Sequence, residues 1–190
     1  AAMKVPGVLG VYTHRDVPGT NRQGLIRRDH PVLADRKVLY RGDAVALVVA
    51  ETQRVLADAC AAVKVDYKPL PVVATIDEAL APEAPRLHPD GNIMGGKRIR
   101  KGDADAALAA SEVVVEDTFE TQTVDHAFLD LEAGVARWDG ATLTIHAPGQ
   151  WVHEERRLVA LALGLPLETV RIVQPVTGGA FGGREDISVQ

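Results

Sequence analysis

A β-branched run that leads into a glycine-rich turn constrains this chain more than any other stretch. Val170-Arg171-Ile172-Val173 is followed by Thr177-Gly178-Gly179-Ala180-Phe181-Gly182-Gly183, in which four glycines surround a single Phe, and then by Arg184-Glu185-Asp186. The pattern predicts a strand, a loop and a helix start in close succession. Glycine permits positive φ and lets main-chain N–H groups approach a ligand, so the loop is either a tight turn or a cradle for a bound group.

A dinucleotide-binding interpretation of this loop is open. The Gly-x-Gly-x-x-Gly fingerprint is matched by Gly178, Ala180 and Gly183 only in a degenerate form, because Ala takes the middle position. A module of this kind also needs an acidic residue at the end of the following strand, about twenty residues past the loop. That position falls beyond Gln190.

The composition is typical of a globular protein and argues against nucleic-acid binding. Of the 190 residues, 46% are apolar and 25% are charged, which is enough to build a core. The formal net charge is −5, and the basic cluster Lys97-Arg98-Ile99-Arg100-Lys101 lacks interleaved aromatic residues. We therefore expect a solvated loop there and no nucleic-acid partner.

Neither a membrane span nor a metal held directly by the protein is predicted. The longest apolar runs, such as Ala44 to Ala50, are too short to cross a bilayer, and no charged-then-apolar leader opens the sequence. The single cysteine, Cys60, excludes an internal disulfide and fits a reducing, cytoplasmic location. Because no two histidines form an i,i+4 pair, any metal is expected to be carried by a cofactor.

The first eighty residues are predicted to form a compact α+β unit. Strands are expected at Val8 to Thr13, at 38–40, at 44–50 and at 63–67, and the third of these segments is expected to be buried on both faces. Thr52 is the predicted N-cap of a helix whose apolar stripe includes Cys60 as a small buried residue. Strands and a helix in this order indicate an α+β architecture.

An irregular connector, rich in Pro and Gly, separates this unit from a second one. Residues 81–108 are the predicted linker, with a short Ala-rich helix expected up to Ser111 and a strand at 113–121. Asp139-Gly140 predicts a hairpin with a type I′ turn. A helix is expected from about Val152 to Leu163, ended by Gly164.

Two polar positions in the second half are candidates for function. Gln150 stands just before the predicted helix and can present its amide, although a glutamine in a loop is ordinarily only solvated. His126 and Glu132 suggest acid–base chemistry, but a strand transition with one hydrogen-bonded histidine explains them equally well. The residues alone do not decide between these interpretations.

Several of these motifs, taken in order, resemble one enzyme family. The loop 177–186 is similar to the Gly-Gly-Gly-Phe-Gly-Gly-Lys-Glu loop of the xanthine dehydrogenase and aldehyde oxidase family of molybdenum hydroxylases. Residues 1–8 and Tyr40–Ala50 resemble the α/β-hammerhead domain of that family's large subunit. The order Gly149-Gln150, helix, Val170–Val173 and glycine loop also resembles the family.

The resemblance implies an α+β fold in three parts. It places a hammerhead domain, without its first strand, at residues 1–80, a linker at 81–108 and the start of a molybdopterin-binding domain at 109–190. The chain is therefore expected to be part of a longer protein. The resemblance also implies an iron–sulfur (2Fe–2S) partner, in some members an FAD partner, on other domains or subunits, and an oligomeric assembly.

The resemblance also assigns site residues. Gln150 matches the glutamine whose amide reaches an oxo ligand of molybdenum, Glu185 matches a residue that faces the substrate, and the loop backbone matches the cofactor-contacting segment, namely Gly179, Ala180, Phe181, Gly182 and Gly183. His126 and Glu132 match positions that support the fold around the active site. Leu131, Ala180 and Arg184 depart from residues that are common in the family, which are Pro, Gly and Lys.

The implied activity is hydroxylation of an electron-poor carbon with water as the oxygen source. Glu185 favours a purine-like or other N-heterocyclic substrate, because aldehyde-oxidising relatives often carry a non-acidic residue there. The general base is expected downstream of residue 190, so this chain alone is expected to be inactive. An aldehyde oxidoreductase of the same family, a nucleotide-binding module and a non-catalytic scaffold are the alternatives.

Overall fold

Two segments that are far apart in sequence make up the larger of two compact units. The computed structural model describes residues 1–185. One unit combines residues 1–65 with the residues from Asp125 onward, and the other comprises Asp66–Val124. The glycine-rich loop belongs to the larger unit.

The amino-terminal part of the larger unit is a two-stranded antiparallel sheet with one helix. Strand β1, Val8–Tyr12, pairs with strand β2, Leu47–Ala50, and helix α1 spans Gln53–Ala62. A 3₁₀ turn, Ala2–Lys4, precedes β1. The predicted cap of α1 is confirmed, because the Thr52 hydroxyl accepts a hydrogen bond from the backbone N–H of Val55 at 3.3 Å.

Several details predicted for this part are wrong. Residues 38–40 and 63–67 are not strands, and β2 is not buried on both faces, because Leu47 and Val49 are exposed. Val48 and Ala50, on the opposite face of the strand, are partly buried. Cys60 is exposed, because the face of α1 that packs inward centres on Ala59.

The carboxy-terminal part of the larger unit is a three-stranded sheet with one crossover helix. Strand β3, Val135–Trp138, pairs antiparallel with β4, Leu143–His146, and β4 pairs parallel with β5, Val170–Val173. Two parallel neighbours need a crossover, and helix α4, Val152–Leu163, provides it. The core lies between this helix and the sheet and contains Ile145, Ala147, Val159, Ala160, Val170 and Ile172.

The predicted hairpin is confirmed, but its turn differs. Four residues connect Trp138 to Leu143, and only Gly140 among them has a positive φ, of 94°. A type I′ turn needs positive φ at both central residues, so that part of the prediction is wrong. The Asp139 carboxylate closes the turn instead, because Oδ1 accepts hydrogen bonds from the N–H groups of Ala141 and Thr142 at 3.0 and 2.8 Å.

Helix α4 ends where the sequence predicts, and its last turn contacts the amino-terminal segment. Gly164 caps it in the left-handed conformation, with φ 65°. The N–H groups of Gly19 and Thr20 donate to the carbonyls of Ala162 and Leu161 at 2.9 and 2.8 Å. A Cβ atom at Gly19 would overlap the carbonyl oxygen of Leu161, so this approach requires glycine.

The second unit, Asp66–Val124, has two short helices and long irregular segments. Helix α2 spans Ile76–Leu80 and helix α3 spans Ala104–Ala109. The strand predicted at 113–121 is not formed, and the side chains of Val113, Val115 and Phe119 are exposed. A strand needs a pairing edge, and the described chain does not supply one to this segment.

Candidate functional site

The loop after β5 combines several unusual backbone conformations. Gly179, Phe181 and Gly182 have φ angles of 121°, 53° and 91°. Left-handed φ costs a residue other than glycine about 1–2 kcal/mol, so Phe181 must be held there by its surroundings. Its ring is 74% exposed, and the N–H of Gly183 closes the turn onto the carbonyl of Ala180 at 2.8 Å. The loop thus presents an aromatic side chain outward on a fixed backbone.

The Gln150 side chain is bonded to this loop in one orientation. Its Oε1 accepts hydrogen bonds from the backbone N–H groups of Gly182 and Arg184 at 3.0 and 3.2 Å. Its own backbone N–H donates to the carbonyl of Arg184 at 3.0 Å. Because both partners of the amide are donors, the oxygen must face them and the Nε2 donor must point away. Gln150 therefore presents an N–H₂ group from a fixed position.

Arg184 is the most completely buried charged residue of the site. Its side chain is 0% exposed, and it forms ion pairs with Asp130 at 2.7 Å and with Glu132 at 2.8 Å. Its Nη1 also donates to the carbonyl of Gly179 at 3.1 Å, and Nη2 donates to that of Leu131 at 3.3 Å. Burial alone lowers the pKa of the guanidinium, but its bonds with Glu132 and Asp130 outweigh that effect and raise the pKa.

The segment around Asp130 is bonded to the glycine loop by further contacts. Asp130 Oδ1 accepts a hydrogen bond from the N–H of Gly178 at 3.0 Å, and the N–H of Leu129 donates to the carbonyl of Gly178 at 3.2 Å. The Arg184 guanidinium carbon lies 3.7 Å from the centroid of the Phe128 ring. Desolvation raises the pKa of Asp130, but the hydrogen bond from Arg184 and its other donors lower it overall.

Two loop glycines are required by close packing. A Cβ atom at Gly178 would lie 2.7 Å from Oδ1 of Asp130, and one at Gly183 would lie 2.9 Å from Cγ of His126. Neither glycine has a positive φ, so their reason for being glycine is space. His126 therefore packs against the loop, which agrees with its interpretation as a supporting residue.

Glu155, on the first turns of α4, is buried behind Gln150. It is 1% exposed, and its Oε1 accepts a hydrogen bond from the N–H of Trp151 at 3.2 Å. Oε2 has no hydrogen-bond partner among the described residues. Burial raises the pKa of this carboxyl, and the backbone donors at Trp151 and Gln150 oppose the rise. A Cβ atom at Gly149 would overlap the carboxylate.

A cavity of about 720 Å³ opens at the start of α4, beside Gln150. Trp151 and His153 are exposed there. Glu154 and Arg157 form an ion pair, and the hydrogen bond from Arg157 lowers the pKa of Glu154. The residues that line the cavity are Gln150, Trp151, Val152, His153, Glu154 and Arg157.

The structure brings most of the residues expected at the site together. Gln150 contacts the segment Gly179–Gly183, whereas Glu185 lies exposed at the end of the loop. The roles of Asp130 and Glu155 were not predicted from the sequence, and Arg184 was expected only as a substitution. The acidic pair Asp130 and Glu132 is the nearest sequence signal, but it does not indicate which cation the pair binds. Asp186 lies outside the described residues.

Within residues 1–185, no group of three or more His, Cys, Asp or Glu side chains is arranged to hold a metal ion. None of the helices that the structure describes has the length and apolar character needed to traverse a bilayer.

Comparison with known proteins identifies the two parts of the chain. The sequence model described as "Molybdopterin cofactor-binding domain" matches residues 87–190. The model described as "Aldehyde oxidase and xanthine dehydrogenase, a/b hammerhead domain" matches residues 1–71.

Curated relatives and solved structures agree with these matches. The nicotinate dehydrogenase large molybdopterin subunit of Eubacterium barkeri is 40% identical over 190 residues, which are 100% of this chain and 45% of that protein. One subunit of a probable xanthine dehydrogenase of Bacillus subtilis (strain 168) is 40% identical over 190 residues, which are 100% of this chain and 26% of that protein. The aldehyde oxidoreductase of Desulfovibrio gigas superposes with a TM-score of 0.85 at 29% identity, over 96% of this chain and 22% of that one.

The fold and the two matches thus define an α+β protein that contains a molybdopterin cofactor-binding domain. The chain belongs to the xanthine dehydrogenase and aldehyde oxidase family of molybdenum hydroxylases, and it carries the α/β-hammerhead domain and part of the molybdopterin-binding domain of that family. It spans less than half the length of the relatives described above.

Proposed function

We propose that the full-length protein is a molybdenum hydroxylase in which Gln150 and the glycine loop contact the cofactor. The observation that carries this proposal is the pair of N–H groups, from Gly182 and Arg184, that fix the oxygen of the Gln150 amide. They turn its Nε2 donor outward, where it can bond to an oxygen atom of an anionic group. The family match over residues 87–190 supports a molybdopterin cofactor as that group.

The residues present fit such a cofactor. The segment Gly179–Gly183 would lie along it, because Gly182, which has a positive φ and no side chain, leaves the backbone open to close approach. A Cβ atom at Gly182 would meet nothing within 4 Å, so this side of the loop is unobstructed. When bound, the molybdenum cofactor supplies oxygen transfer from water and accepts two electrons. The chain's own contribution is a set of neutral N–H donors on a rigid support.

An N-heterocycle is the substrate class that we propose. Glu185 is exposed at the end of the loop, and its carboxylate can accept a ring N–H or share a proton with a ring nitrogen. Two relatives at 40% identity are named as nicotinate and xanthine dehydrogenases, which supports this choice. An aldehyde oxidoreductase is the second candidate, supported by the likeness to the Desulfovibrio gigas enzyme.

The proposed organisation of the full protein follows the family. We place a hammerhead domain at residues 1–80, a connector at 81–108 and the start of the molybdopterin-binding domain at 109–190, supported by the matches to 1–71 and 87–190. Iron–sulfur (2Fe–2S) domains or subunits, joined by an FAD domain or subunit in some family members, would carry electrons away, in a cytoplasmic oligomer. The names of relatives as subunits support the existence of partner chains.

Metal and pterin content of the full-length protein, purified from its own host, is the deciding experiment. Stoichiometric molybdenum and pterin, with none in a protein limited to residues 1–190, is the expected result. A well-folded full-length protein without molybdenum, produced with ample molybdate, would overturn the proposal and favour a non-catalytic scaffold. Measurable NAD binding by the short protein would favour a nucleotide-binding module instead.

A Glu185→Ala variant tests the substrate class separately. We expect turnover of purines and other N-heterocycles to fall by about tenfold or more, because a hydrogen bond to the ring is lost, while aldehyde turnover stays nearly unchanged. A Glu185→Gln variant is the matched control, since it keeps the size and removes the charge. Equal losses on heterocycles and aldehydes would contradict the assignment.

A further inference from the structure

Arg184 connects two parts of the site, one through its side chain and the other through its backbone. Its side chain reaches Asp130 and Glu132, more than fifty residues earlier in the chain. Its backbone N–H and carbonyl bond to Gln150. Any displacement of the Arg184 backbone therefore displaces a donor that orients the Gln150 amide.

The side chain is held tightly enough to fix that backbone. The guanidinium is fully buried, is bound through Nε and Nη1 to the two carboxylates, and rests on the ring of Phe128. A planar guanidinium presents its donors in a fixed geometry, so several hydrogen bonds hold it in one orientation. A flexible ammonium with rotatable donors would be held less strictly. The carbonyl of Gly179, in the same loop, accepts from Nη1 and closes the ring of contacts.

The arrangement also explains why the amide needs two donors. With Gly182 alone, a rotation that exchanges the amide oxygen and nitrogen of Gln150 would break only a single hydrogen bond. The second donor, from Arg184, makes the rotated orientation costly, because two N–H groups would then face an N–H₂ group.

We propose that Arg184 is a positioning residue that sets the orientation of the Gln150 amide through its own backbone, with Asp130 and Glu132 as the anchor. This inference rests on the proposed function, because it concerns the donor that Gln150 presents to the cofactor. It assigns no contact between Arg184 and cofactor or substrate.

Backbone amide exchange in the cofactor-free, full-length protein gives the first test. In an Arg184→Met variant, we expect the Gly182 amide to exchange on the order of tenfold faster, while amides in α4 after Leu158 keep their rates. Arg184→Lys keeps the charge and should show an intermediate effect. Arg171→Met is the matched control, because Arg171 is an exposed residue on β5, and it should leave these rates unchanged.

A double-mutant cycle on the loaded enzyme gives the second test. Arg184→Met and Gln150→Met should each lower kcat by about 10–100-fold, and the double variant should be no slower than Gln150→Met. Molybdenum content and the Mo(V) electron paramagnetic resonance signal are measured on the same samples. We expect the signal of Arg184→Met to change in the same direction as that of Gln150→Met, and Arg184→Lys to recover part of it.

The outcomes separate the inference from the function on which it rests. Absence of molybdenum or turnover in the unmodified protein would remove the proposed function. If the unmodified protein is active and the effects of the two substitutions on kcat multiply, the role proposed for Arg184 is overturned. The proposed function is not affected by that result. If Arg184→Met does not fold, Asp130→Asn takes its place in both tests, since it weakens the anchor and keeps an oxygen acceptor for Gly178.

Discussion

Gln150 and Arg184 are joined by hydrogen bonds in both directions across a separation of 34 residues. The backbone N–H of Gln150 donates to the carbonyl of Arg184, and the backbone N–H of Arg184 donates to Oε1 of Gln150. The segment just before α4 and the end of the glycine loop are therefore directly connected. A substitution in either segment should change the structure of the other as well.

Replacement of Gln150 by Glu should lower the activity and leave the structure of the loop unchanged. A carboxylate can still accept from the N–H groups of Gly182 and Arg184, so amide exchange in the loop should stay close to that of the unmodified protein. The variant loses its N–H₂ donor, and we expect kcat to fall by about 10–100-fold. Gln150→Leu should lose both the exchange protection and the activity. Faster loop exchange in Gln150→Glu would show that the carboxylate does not take the place of the amide oxygen.

Substitution of Asp130 should raise amide exchange at more positions of the loop than substitution of Glu132. Asp130 binds both the Arg184 guanidinium and the N–H of Gly178, whereas the contact of Glu132 is with Arg184 alone among the hydrogen bonds described for the loop. We expect Asp130→Ala to raise amide exchange at Gly178 and Gly182, and Glu132→Ala to raise only the latter. Asp130→Asn should restore protection at Gly178, because its oxygen can still accept. The same exchange pattern for both Ala variants would contradict this ranking.

Gly178 should tolerate no side chain, for a reason of space. A Cβ atom there would lie 2.7 Å from Asp130 Oδ1 and 2.9 Å from the Asp130 backbone nitrogen, so Gly178→Ala must push the two segments apart. We expect the free energy of local opening of the loop, measured by hydrogen exchange, to fall by about 1–3 kcal/mol. Gly95→Ala is the matched control, because a Cβ atom at Gly95 would meet nothing within 4 Å.

The buried carboxyl of Glu155 should give the protein a specific pH dependence. Burial raises its pKa in the folded state above the ordinary value of 4.5. The unfolded chain therefore releases this proton at lower pH than the folded one, and stability falls as pH rises from about 4.5 through the folded pKa. The contribution of the neutral carboxyl is fully present below that window.

A Glu155→Gln variant checks this dependence. Its urea midpoint, followed from pH 4 to pH 8, should lose the decline that is due to Glu155 in the unmodified protein. Glu112→Gln, at an exposed position, is the control and should keep the original profile. A decline of unchanged size in Glu155→Gln would assign the dependence to other groups.

Local patterns predicted the strands and the helix between residues 135 and 173 well. The hairpin partners β3 and β4, the span of α4 and its Gly164 cap all follow from short-range signals, namely turn residues and apolar periodicity. The predictions at 38–40, 63–67 and 113–121 failed, because β propensity alone does not form a strand without a pairing edge.

The candidate site was only partly predictable, for a related reason. Gln150 and the loop were found through a family resemblance that preserves their order in the chain. The buried position of Arg184 depends on Asp130 and Glu132, which lie more than fifty residues away in the sequence. No local sequence pattern predicts a contact over such a separation. Glu155 looks like an ordinary acidic residue near a helix start, and only the three-dimensional structure shows that it is buried and packs against Gly149.

The contact of Gly19 and Thr20 with the end of α4 has a consequence for protein engineering. Both hydrogen bonds run between main-chain atoms, so these two contacts depend on the backbone of the helix end and not on the side chains there. Amino-terminal segments exchanged between relatives should therefore keep these two hydrogen bonds even where the side chains of the helix end differ, provided that glycine is kept at position 19. Hybrid enzymes built with a junction between the two family-matched segments are a practical way to vary one half without rebuilding the other.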